Sequence, residues 1–267
     1  MKPLKLGIFA SSYIAPVVVV VVEEGIVARG VFGGGYASTR SNVIDYITIA
    51  TTGNATDFGD LTEIRYGVAA CSSTTRGVFG GGNNNSGTNV NVIDYITIDT
   101  LGNATDFGDL TVARNNLAAC SSTTRGVFGG GYTGSNRNTL DYITIATTGN
   151  ATDFGTLSVA RRLLTACSSA TRGVFGGGFV SAHSNVLDYI TIATTGNATD
   201  FGDLSSAKDT LAACSSTTRG VFGGGAGQTN VIDYITIATT GNATDFGDLT
   251  VGRSQLAALS NSHGGLG

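Results

Sequence analysis

The stretch Arg-Gly-Val-Phe-Gly-Gly-Gly, residues 29–35, occurs five times in this 267-residue chain, and its repetition decides the fold. The later copies begin at Arg76, Arg125, Arg172 and Arg219, so successive copies from residue 29 lie 47, 49, 47 and 47 residues apart. Internal repetition at this period predicts a propeller, a solenoid or an array. A residue that recurs in five equivalent places is typical of a scaffold, whereas an active site normally needs a unique constellation.

Each repeat contains four short apolar segments separated by turn residues. In the second repeat we expect strands at residues 68–72, 77–80, 90–98 and 105–110, with turns of Ser-Ser-Thr-Thr, Gly-Gly-Gly and Thr-Leu-Gly-Asn between them. Such spacing is typical of an antiparallel meander. The third strand carries bulky residues on both faces, and a propeller blade is covered on both faces by its neighbours. We therefore predict an all-β, five-bladed β-propeller with four antiparallel strands per blade.

The repeats divide the chain into an extended N-terminal arm, residues 1–28, and a propeller, residues 29–267. The first blade, residues 29–66, lacks an inner strand. Residues 256–260 (Leu-Ala-Ala-Leu-Ser) match the inner strand at 117–121 (Leu-Ala-Ala-Cys-Ser), so we expect them to complete blade one and close the ring. The valine run at 17–22 is the competing candidate. The other blades are expected at 67–114, 115–161, 162–208 and 209–253.

The arm contains an apolar run that is interrupted by Pro16. A secretory signal peptide looks somewhat similar, but β-branched residues favour a strand, and the run is too short for a membrane helix. We expect the arm to pair with another chain by strand addition or to lie in a hydrophobic groove; packing on its own propeller is the alternative. The residues expected to carry this assembly role are Val17, Val18, Val19, Val20, Val21 and Val22.

Composition and charge argue against several classes of function. The net charge is −4, no basic run occurs and tryptophan is absent, so nucleic acid is not an expected partner. Charged residues make up 13 % of the chain, about half the ordinary share. The two histidines, His183 and His263, stand in unrelated contexts, and no Cys/His or carboxylate cluster has metal spacing. We expect no metal, no cofactor and no catalytic set, and therefore no enzyme.

Three recurring motifs suggest chemistry but have simpler interpretations. Cys71, Cys120, Cys167 and Cys214 occupy one equivalent position in successive repeats, and Leu259 fills it in the fifth. Two disulfides are conceivable, but a slot that accepts leucine predicts free, buried thiols. Asp-Phe-Gly, which binds magnesium in kinases, occurs without the other kinase elements and is interpreted as a turn. Asn-Ala-Thr is a glycosylation acceptor pattern or, as we prefer, a polar turn.

Comparing the five repeats separates uniform loops from variable ones. The loop between the second and third strands, and the connection to the next blade, vary in content and are expected at the same end of the propeller. Function often lies on loops held by a rigid scaffold, so we predict a recognition face there for a glycan or a protein; neutral drift is the alternative. The candidate residues are Tyr36, Arg40, Arg65, Tyr66, Asn84, Arg114, Tyr132, Arg137, Arg161, Arg162, Phe179, His183, Lys208, Gln228 and Arg253.

Five of these candidates occupy equivalent positions before the next inner strand. A ring of cations at that end would attract a phosphorylated or sulfated sugar. The alternative is a scaffold hydrogen bond in every blade. The five residues are Arg65, Arg114, Arg161, Lys208 and Arg253.

The order of motifs within each repeat resembles the kelch repeat. A strand ends in adjacent glycines at 33–35, an Asp45-Tyr46 strand follows, and then come an aromatic, Phe58, and an arginine, Arg65. Phenylalanine replaces the usual tryptophan, a third glycine is added, and five blades replace the commoner six or seven. The repeated segment Thr-Gly-Asn-Ala-Thr-Asp-Phe-Gly-Asp-Leu-Thr is similar to kelch-like repeats in virion proteins of marine tailed bacteriophages. The resemblance covers residues 29–260.

This resemblance implies a kelch-like propeller in a phage particle. We expect a non-enzymatic structural virion protein at the particle surface: a head or tail decoration, fibre or adaptor protein. The expected partners are other virion proteins through the arm, further copies of the chain in a homo-oligomer, and a host-surface glycan or receptor; no membrane span is expected. The main alternative is a free, lectin-like carbohydrate- or protein-binding module, and an enzyme built on the propeller is the third possibility.

Overall fold

The computed structural model describes residues 28–36 and 38–258, and these residues form strands, turns and loops without any helix. None of the described residues belongs to a helix that could cross a membrane. The valines at 17–22, and residues 259 and 260 of the expected closing strand, lie outside the described residues. The prediction that the arm mediates assembly therefore stays a prediction.

The described strands follow the repeats of the sequence. Blade one contains β1 (Arg29–Tyr36), β2 (Arg40–Thr48) and β3 (Thr56–Asp60), and β4 (Arg65–Tyr66) leads out of it. Blade two contains β5 (Ala69–Ser72), β6 (Arg76–Gly80), β8 (Val92–Thr97) and β9 (Thr105–Asp109), with β7 (Asn83–Asn84) in its loop. Blade three contains β10 (Ala118–Ser121), β11 (Arg125–Gly129), β12 (Thr139–Thr144) and β13 (Thr152–Thr156). Blade four contains β14 (Thr165–Ser168), β15 (Arg172–Gly176), β16 (Val186–Thr191) and β17 (Thr199–Asp203). Blade five contains β18 (Ala212–Ser215), β19 (Arg219–Gly223), β20 (Val231–Thr236) and β21 (Thr244–Asp248).

The five sheets are arranged in a ring as a five-bladed β-propeller, which confirms the predicted fold class. Blades two to five are four-stranded antiparallel meanders, and the described part of blade one has three strands. The four strands expected in the second repeat agree with β5, β6, β8 and β9 to within two residues at each end. The turn residues therefore located the strands correctly.

The outer strand of each blade contains a bulge that requires glycine. In blade two the register between β8 and β9 shifts between Ile93 and Asp94. Gly108 there has a φ of +139°, and a Cβ on it would lie 2.5 Å from the backbone oxygen of Gly149 in blade three. Both the backbone angle and the close approach of the next blade exclude a side chain. This explains the glycine of the repeated Asp-Phe-Gly, whose aspartate at position 57 accepts a hydrogen bond from the amide of Gly59 at 3.1 Å.

The hydrophobic core is divided among the junctions between blades. On β12, Leu140 belongs to the cluster shared with blade four, and Ile143 belongs to the cluster shared with blade two. Both side chains are buried. A blade thus contributes one face to each neighbouring core, as the two apolar faces of the third strand predicted.

The same polar contacts join successive blades from one to five. At the junction of blades two and three, the amide of Gly149 donates to the carbonyl of Phe107 at 2.7 Å. The guanidinium of Arg76 donates to the carbonyl of Ile145 at 2.9 Å. Equivalent residues make the same two bonds at the other three junctions. These contacts fix how one blade sits against the next.

The junction between blade five and blade one lacks these contacts within residues 28–36 and 38–258. Phe246 of blade five is 52 % exposed, whereas its counterpart Phe107 is 2 % exposed, and Phe32 of blade one is 39 % exposed. Arg253 is exposed and has no carboxylate partner among the described residues. Asp45, which corresponds to the aspartates of the buried pairs described below, is only partly buried. The expectation that this junction repeats the other four is therefore not met in the described part of the chain.

The expected closing strand enters its position but forms no strand within the described residues. The amide of Gln255 donates to the carbonyl of Thr210 at 2.9 Å, as the amide of Thr210 does to the carbonyl of Leu163 one blade earlier on the ring. Leu256 packs against Gly224 of blade five. Residues 256–258 nevertheless lie in no strand, so blade one keeps three strands in the described part.

Candidate recognition face

The variable loops lie together at one end of the propeller. The connection leaving each of blades one to four is hydrogen-bonded to the loop between the second and third strands of the next blade. The pairing of β4 with β7 is one example, and Tyr132, whose amide donates to the carbonyl of Asn115 at 2.9 Å, is another. The expectation that these two sets of loops share one end therefore agrees with the structure. We call this end the variable face, and it comprises the second-to-third-strand loops and the connections between blades.

Four members of the expected cation ring are buried and paired with aspartates. The salt bridges are Arg65–Asp94 at 2.6 Å, Arg114–Asp141 at 2.7 Å, Arg161–Asp188 at 2.8 Å and Lys208–Asp233 at 2.8 Å. Both side chains of every pair are at most 1 % exposed. Burial lowers the pKa of the three arginines, and the partner aspartate opposes that shift. A group held in this way cannot reach a ligand in solvent.

The interpretation of these four residues as a ligand-binding ring is therefore corrected in favour of the scaffold alternative. Each cation belongs to the connection that leaves one blade, and each aspartate belongs to the Asp-Tyr segment of the next blade. The salt bridges therefore hold neighbouring blades together, and we call each of them a joint. In the Arg114 pair, Asp141 also accepts from the hydroxyl of Thr111 at 2.5 Å, which satisfies its second oxygen. Only Arg253, at the fifth junction, is an exposed member of the set within the described residues.

An arginine on the variable face, Arg162, lies against two aromatic rings. The guanidinium carbon of Arg162 lies 4.6 Å from the ring centre of Tyr132 and 4.9 Å from that of Phe179. Its Nη1 donates to Oδ1 of Asn136 at 3.1 Å. Tyr132 and Asn136 come from blade three and Phe179 from blade four, while Arg162 is part of the connection between them. We call these four residues the Arg162 cluster.

A histidine–aspartate pair adjoins the Arg162 cluster. Nδ1 of His183 lies 3.0 Å from Oδ2 of Asp209, and the side chains are 48 % and 7 % exposed respectively. The His183 ring meets the ring of Phe179 edge to face, with centroids 6.1 Å apart. Because an ionised carboxylate only accepts hydrogen bonds, Nδ1 of His183 donates to Asp209, and in a neutral imidazole Nε2 is then the acceptor. The ring of Phe179 thus contacts both Arg162, from the connection between blades three and four, and His183, from its own loop.

A second aromatic and cationic group lies on blades one and two. Arg40 stands over the ring of Tyr66 at 5.2 Å, and the rings of Tyr36 and Tyr66 lie 5.8 Å apart. Both terminal nitrogens of Arg40 are used, since Nη1 donates to the carbonyl of Asn85 at 2.8 Å and Nη2 to Oδ1 of Asn83 at 3.1 Å. Tyr36 is 67 % exposed. This group therefore offers an aromatic surface, with an arginine already committed to the protein.

Three remaining candidates do not join either group. The side chain of Asn84 accepts from the amides of Ser86 and Thr88, so it stabilises its own loop. Arg137 is exposed and donates from Nε to the hydroxyl of Thr133 at 2.7 Å. Gln228 is exposed and has a φ of +53°, which marks it as a turn residue.

The opposite end is built of uniform turns that join blades. The hydroxyl of Ser73 accepts from the amide of Arg76 at 3.1 Å and closes the first turn. Asn103, from the Asn-Ala-Thr motif, accepts from the amide of Asp60 in the preceding blade at 3.0 Å. Equivalent asparagines do the same at the next three junctions. The preferred interpretation of Asn-Ala-Thr as a polar turn therefore agrees with the structure.

The four cysteines are free, and Cys71, Cys120 and Cys167 are buried. Burial raises the pKa of the Cys71 thiol to about 12 and also raises the pKa of Cys120 and Cys167. A Cβ on Gly126 would lie 2.6 Å from Sγ of Cys71, so the sulfur occupies the space left by a glycine of the next blade. These thiols are packing groups at the inner edges of the blades.

Sequence reasoning missed two recurring contacts of the repeat. The arginine of Arg-Gly-Val-Phe covers the tyrosine of Asp-Tyr, with Arg125 lying 4.2 Å from the ring centre of Tyr142. The aspartate of Asp-Tyr is the buried partner of the cation from the preceding blade. An aspartate that recurs within an otherwise apolar strand was the available signal, because a buried carboxylate requires a partner.

The fold and the variable face define the class of this protein as a five-bladed β-propeller with one diversified end. A scan against protein-family models and a search of curated proteins find no match to this chain. Within residues 28–36 and 38–258, no group of three or more His, Cys, Asp or Glu side chains could hold a metal ion.

Proposed function

We propose that this chain is a non-enzymatic structural protein of a bacteriophage virion that displays the variable face for recognition. It would be a kelch-like head or tail decoration, fibre or adaptor protein at the particle surface. The observation that carries the proposal is the difference in composition and contacts between the two ends of the propeller. Recurring polar groups are used to hold the blades together, and the exposed aromatic and cationic groups that differ between repeats are gathered at one end.

The contacts made by side chains at each end support this difference between the uniform turns and the variable face. The uniform turns present serine, threonine and asparagine side chains, many of which bond the chain itself or the neighbouring blade. The variable face presents Tyr36, His183 and the edge of Arg162, none of which joins the recurring scaffold contacts. Aromatic residues and arginine are enriched where proteins bind partners. A rigid ring that carries diverse loops is a common way to build a binding surface.

The attribution to a phage particle is supported by the sequence likeness of the repeat and by the apolar arm. The repeated segment Thr-Gly-Asn-Ala-Thr-Asp-Phe-Gly resembles the kelch-like repeats of virion proteins of marine tailed bacteriophages. The valines at 17–22 suit attachment to other virion proteins, because an apolar strand without a repeat partner gains from pairing with another chain.

A free, lectin-like binding module is the second candidate function. The Arg162 cluster favours it, since a stacked arginine beside an exposed histidine is a small, polar and aromatic site of the kind that holds a sugar. The two functions share the variable face and differ in whether the chain is part of a particle.

Two measurements test the proposal. Mass spectrometry of purified particles of the encoding phage should detect this chain in a fixed ratio to the capsid protein, and its confinement to the soluble fraction of lysed cells would favour the lectin-like module. Fluorescently labelled chain should bind host cells, and a triple variant, Tyr36→Ser, Arg40→Gln and Arg162→Gln, should lose that binding. The matched control is Thr74→Ala on the exposed uniform end. Equal binding by wild type, triple variant and control would contradict recognition by the variable face.

A further inference from the structure

The guanidinium of Arg162 lies close to two aromatic rings. The ring centres of Tyr132 and Phe179 are 4.6 and 4.9 Å from the guanidinium carbon. The backbone holds Arg162 and Phe179 together, because the amide of Arg162 donates to the carbonyl of Phe179 at 3.2 Å and the amide of Phe179 donates to the carbonyl of Arg162 at 2.7 Å. Stacking by aromatic rings restricts the side chain while leaving the edge of the guanidinium available.

Hydrogen bonding then divides the donors of Arg162 into used and free ones. Nη1 donates to Oδ1 of Asn136, and Nδ2 of Asn136 donates to the carbonyls of Val180 at 2.7 Å and Phe179 at 3.1 Å. The amide is thereby held with its oxygen toward the arginine. Nε and Nη2 of Arg162 have no partner within the described residues, in contrast to both terminal nitrogens of Arg40. Arg162 therefore keeps spare donors on a fixed side chain.

His183 adds a group of the opposite hydrogen-bonding character beside the same phenyl ring. Its Nδ1 is engaged by Asp209, whose Oδ1 also accepts from the hydroxyl of Thr210 at 3.2 Å. Nε2 of the neutral imidazole accepts hydrogen bonds, and the side chain is 48 % exposed. Donors for an anion and an acceptor for a hydroxyl thus lie beside the same ring, that of Phe179.

We propose that the Arg162 cluster with His183 binds a sugar residue that carries a carboxylate, an inference that rests on the proposed recognition function of the variable face. The free edge of Arg162 holds the carboxylate through charge-assisted hydrogen bonds. His183 accepts from a sugar hydroxyl, and the exposed parts of Tyr132 and Phe179 contact the apolar face of the ring. A net charge of −4 gives no general attraction for acidic polymers, so binding depends on this local arrangement.

The probe is a galacturonic acid oligomer, titrated calorimetrically into the full chain. We expect saturable binding to the acidic oligomer and none to the same oligomer after methyl esterification, because esterification removes the carboxylate charge and preserves the sugar. Arg162→Gln should weaken binding roughly tenfold or more, since hydrogen bonds to a charged partner are lost. Arg162→Lys should lose most of the affinity as well, because an ammonium cannot form the planar fork.

The matched control is Arg219→Gln, which removes the same charge from an exposed arginine that lies over the ring of Tyr234 at the uniform end, and it should leave affinity within twofold. Melting temperatures of all variants establish that each one folds. Equal losses from Arg219→Gln and Arg162→Gln, or equal binding of the esterified oligomer, would overturn the proposal. Tighter binding of a sulfated oligomer would do the same by assigning the site to another anion. If no acidic oligomer binds while labelled chain still binds host cells, this inference fails and the proposed recognition function stands.

Discussion

The buried pair Arg114–Asp141 offers a direct measurement of how strongly the blades are joined. Both side chains are fully buried, and the two charged atoms lie 2.7 Å apart. Arg114→Met removes one charge and leaves Asp141 without its cation in a site that water does not reach. Breaking a buried pair from one side costs about 3–5 kcal/mol, because the remaining charge keeps its desolvation penalty. For a chain of this size we therefore expect the melting temperature to fall by roughly 6–20 °C.

The repeat supplies its own control. Arg253 occupies the equivalent position in blade five, where it is exposed and has no carboxylate partner among the described residues. Arg253→Met should change stability by no more than about 0.5 kcal/mol, as expected of a surface substitution. A double variant, Arg114→Met with Asp141→Leu, should recover part of the lost stability, because it also removes the unpaired charge of Asp141.

Thermal unfolding followed by circular dichroism provides the measurement, since the chain has no tryptophan for fluorescence. The reasoning fails if Arg114→Met costs less than about 1 kcal/mol, because the joint would then not depend on the pair. It also fails if Arg253→Met is as harmful as Arg114→Met. That result would mean that Arg253 meets Asp45 and that the fifth junction closes like the others.

Two further predictions concern packing at the junctions. Gly108→Ala should destabilise the chain by about 1–3 kcal/mol more than Gly247→Ala, because overpacking carries costs of that order. The two glycines have similar φ angles, +139° and +133°. A Cβ at position 108 would lie 2.5 Å from the backbone of Gly149 in the next blade, whereas a Cβ at position 247 meets no described atom within 4 Å. Equal melting temperatures for these two variants would rule out the close approach as the cause. In alkylation with iodoacetamide at pH 8, half-buried Cys214 should be modified well before Cys71, since burial raises the Cys71 pKa to about 12 and leaves it protonated until the chain unfolds. Peptide mass spectrometry at successive times checks the order, and rapid labelling of Cys71 in the folded chain would contradict its burial.

The architecture could be predicted from the sequence because the same pattern of apolar segments and turn residues occurs five times. The period, the turn residues and the two apolar faces of the third strand each pointed to blades, and β6 and β8 appear where those signals placed them. Cysteine in a slot that also accepts leucine correctly indicated packing. Signals of this kind are local to one repeat and need no knowledge of its neighbours.

The function of Arg114 could not be decided in the same way. Its partner Asp141 belongs to the next repeat, and a cation in a connection between strands is usually exposed. Whether it is a ligand-binding group or a joint depends on contacts between repeats, which the internal pattern of one repeat does not contain. The sequence indicates Tyr132, Arg162 and Phe179 as candidates, but it predicts neither Asn136 nor the contacts among the four residues, because these contacts form only when blades three and four pack together.

Within residues 28–36 and 38–258, the exposure of Phe32 and Phe246 makes the junction of blades five and one less buried than the other four junctions of the ring. Local opening begins where few buried apolar contacts hold the structure together. Backbone amides near Phe32 and Phe246 should therefore exchange with deuterium sooner than those near Val127, which is fully buried in blade three.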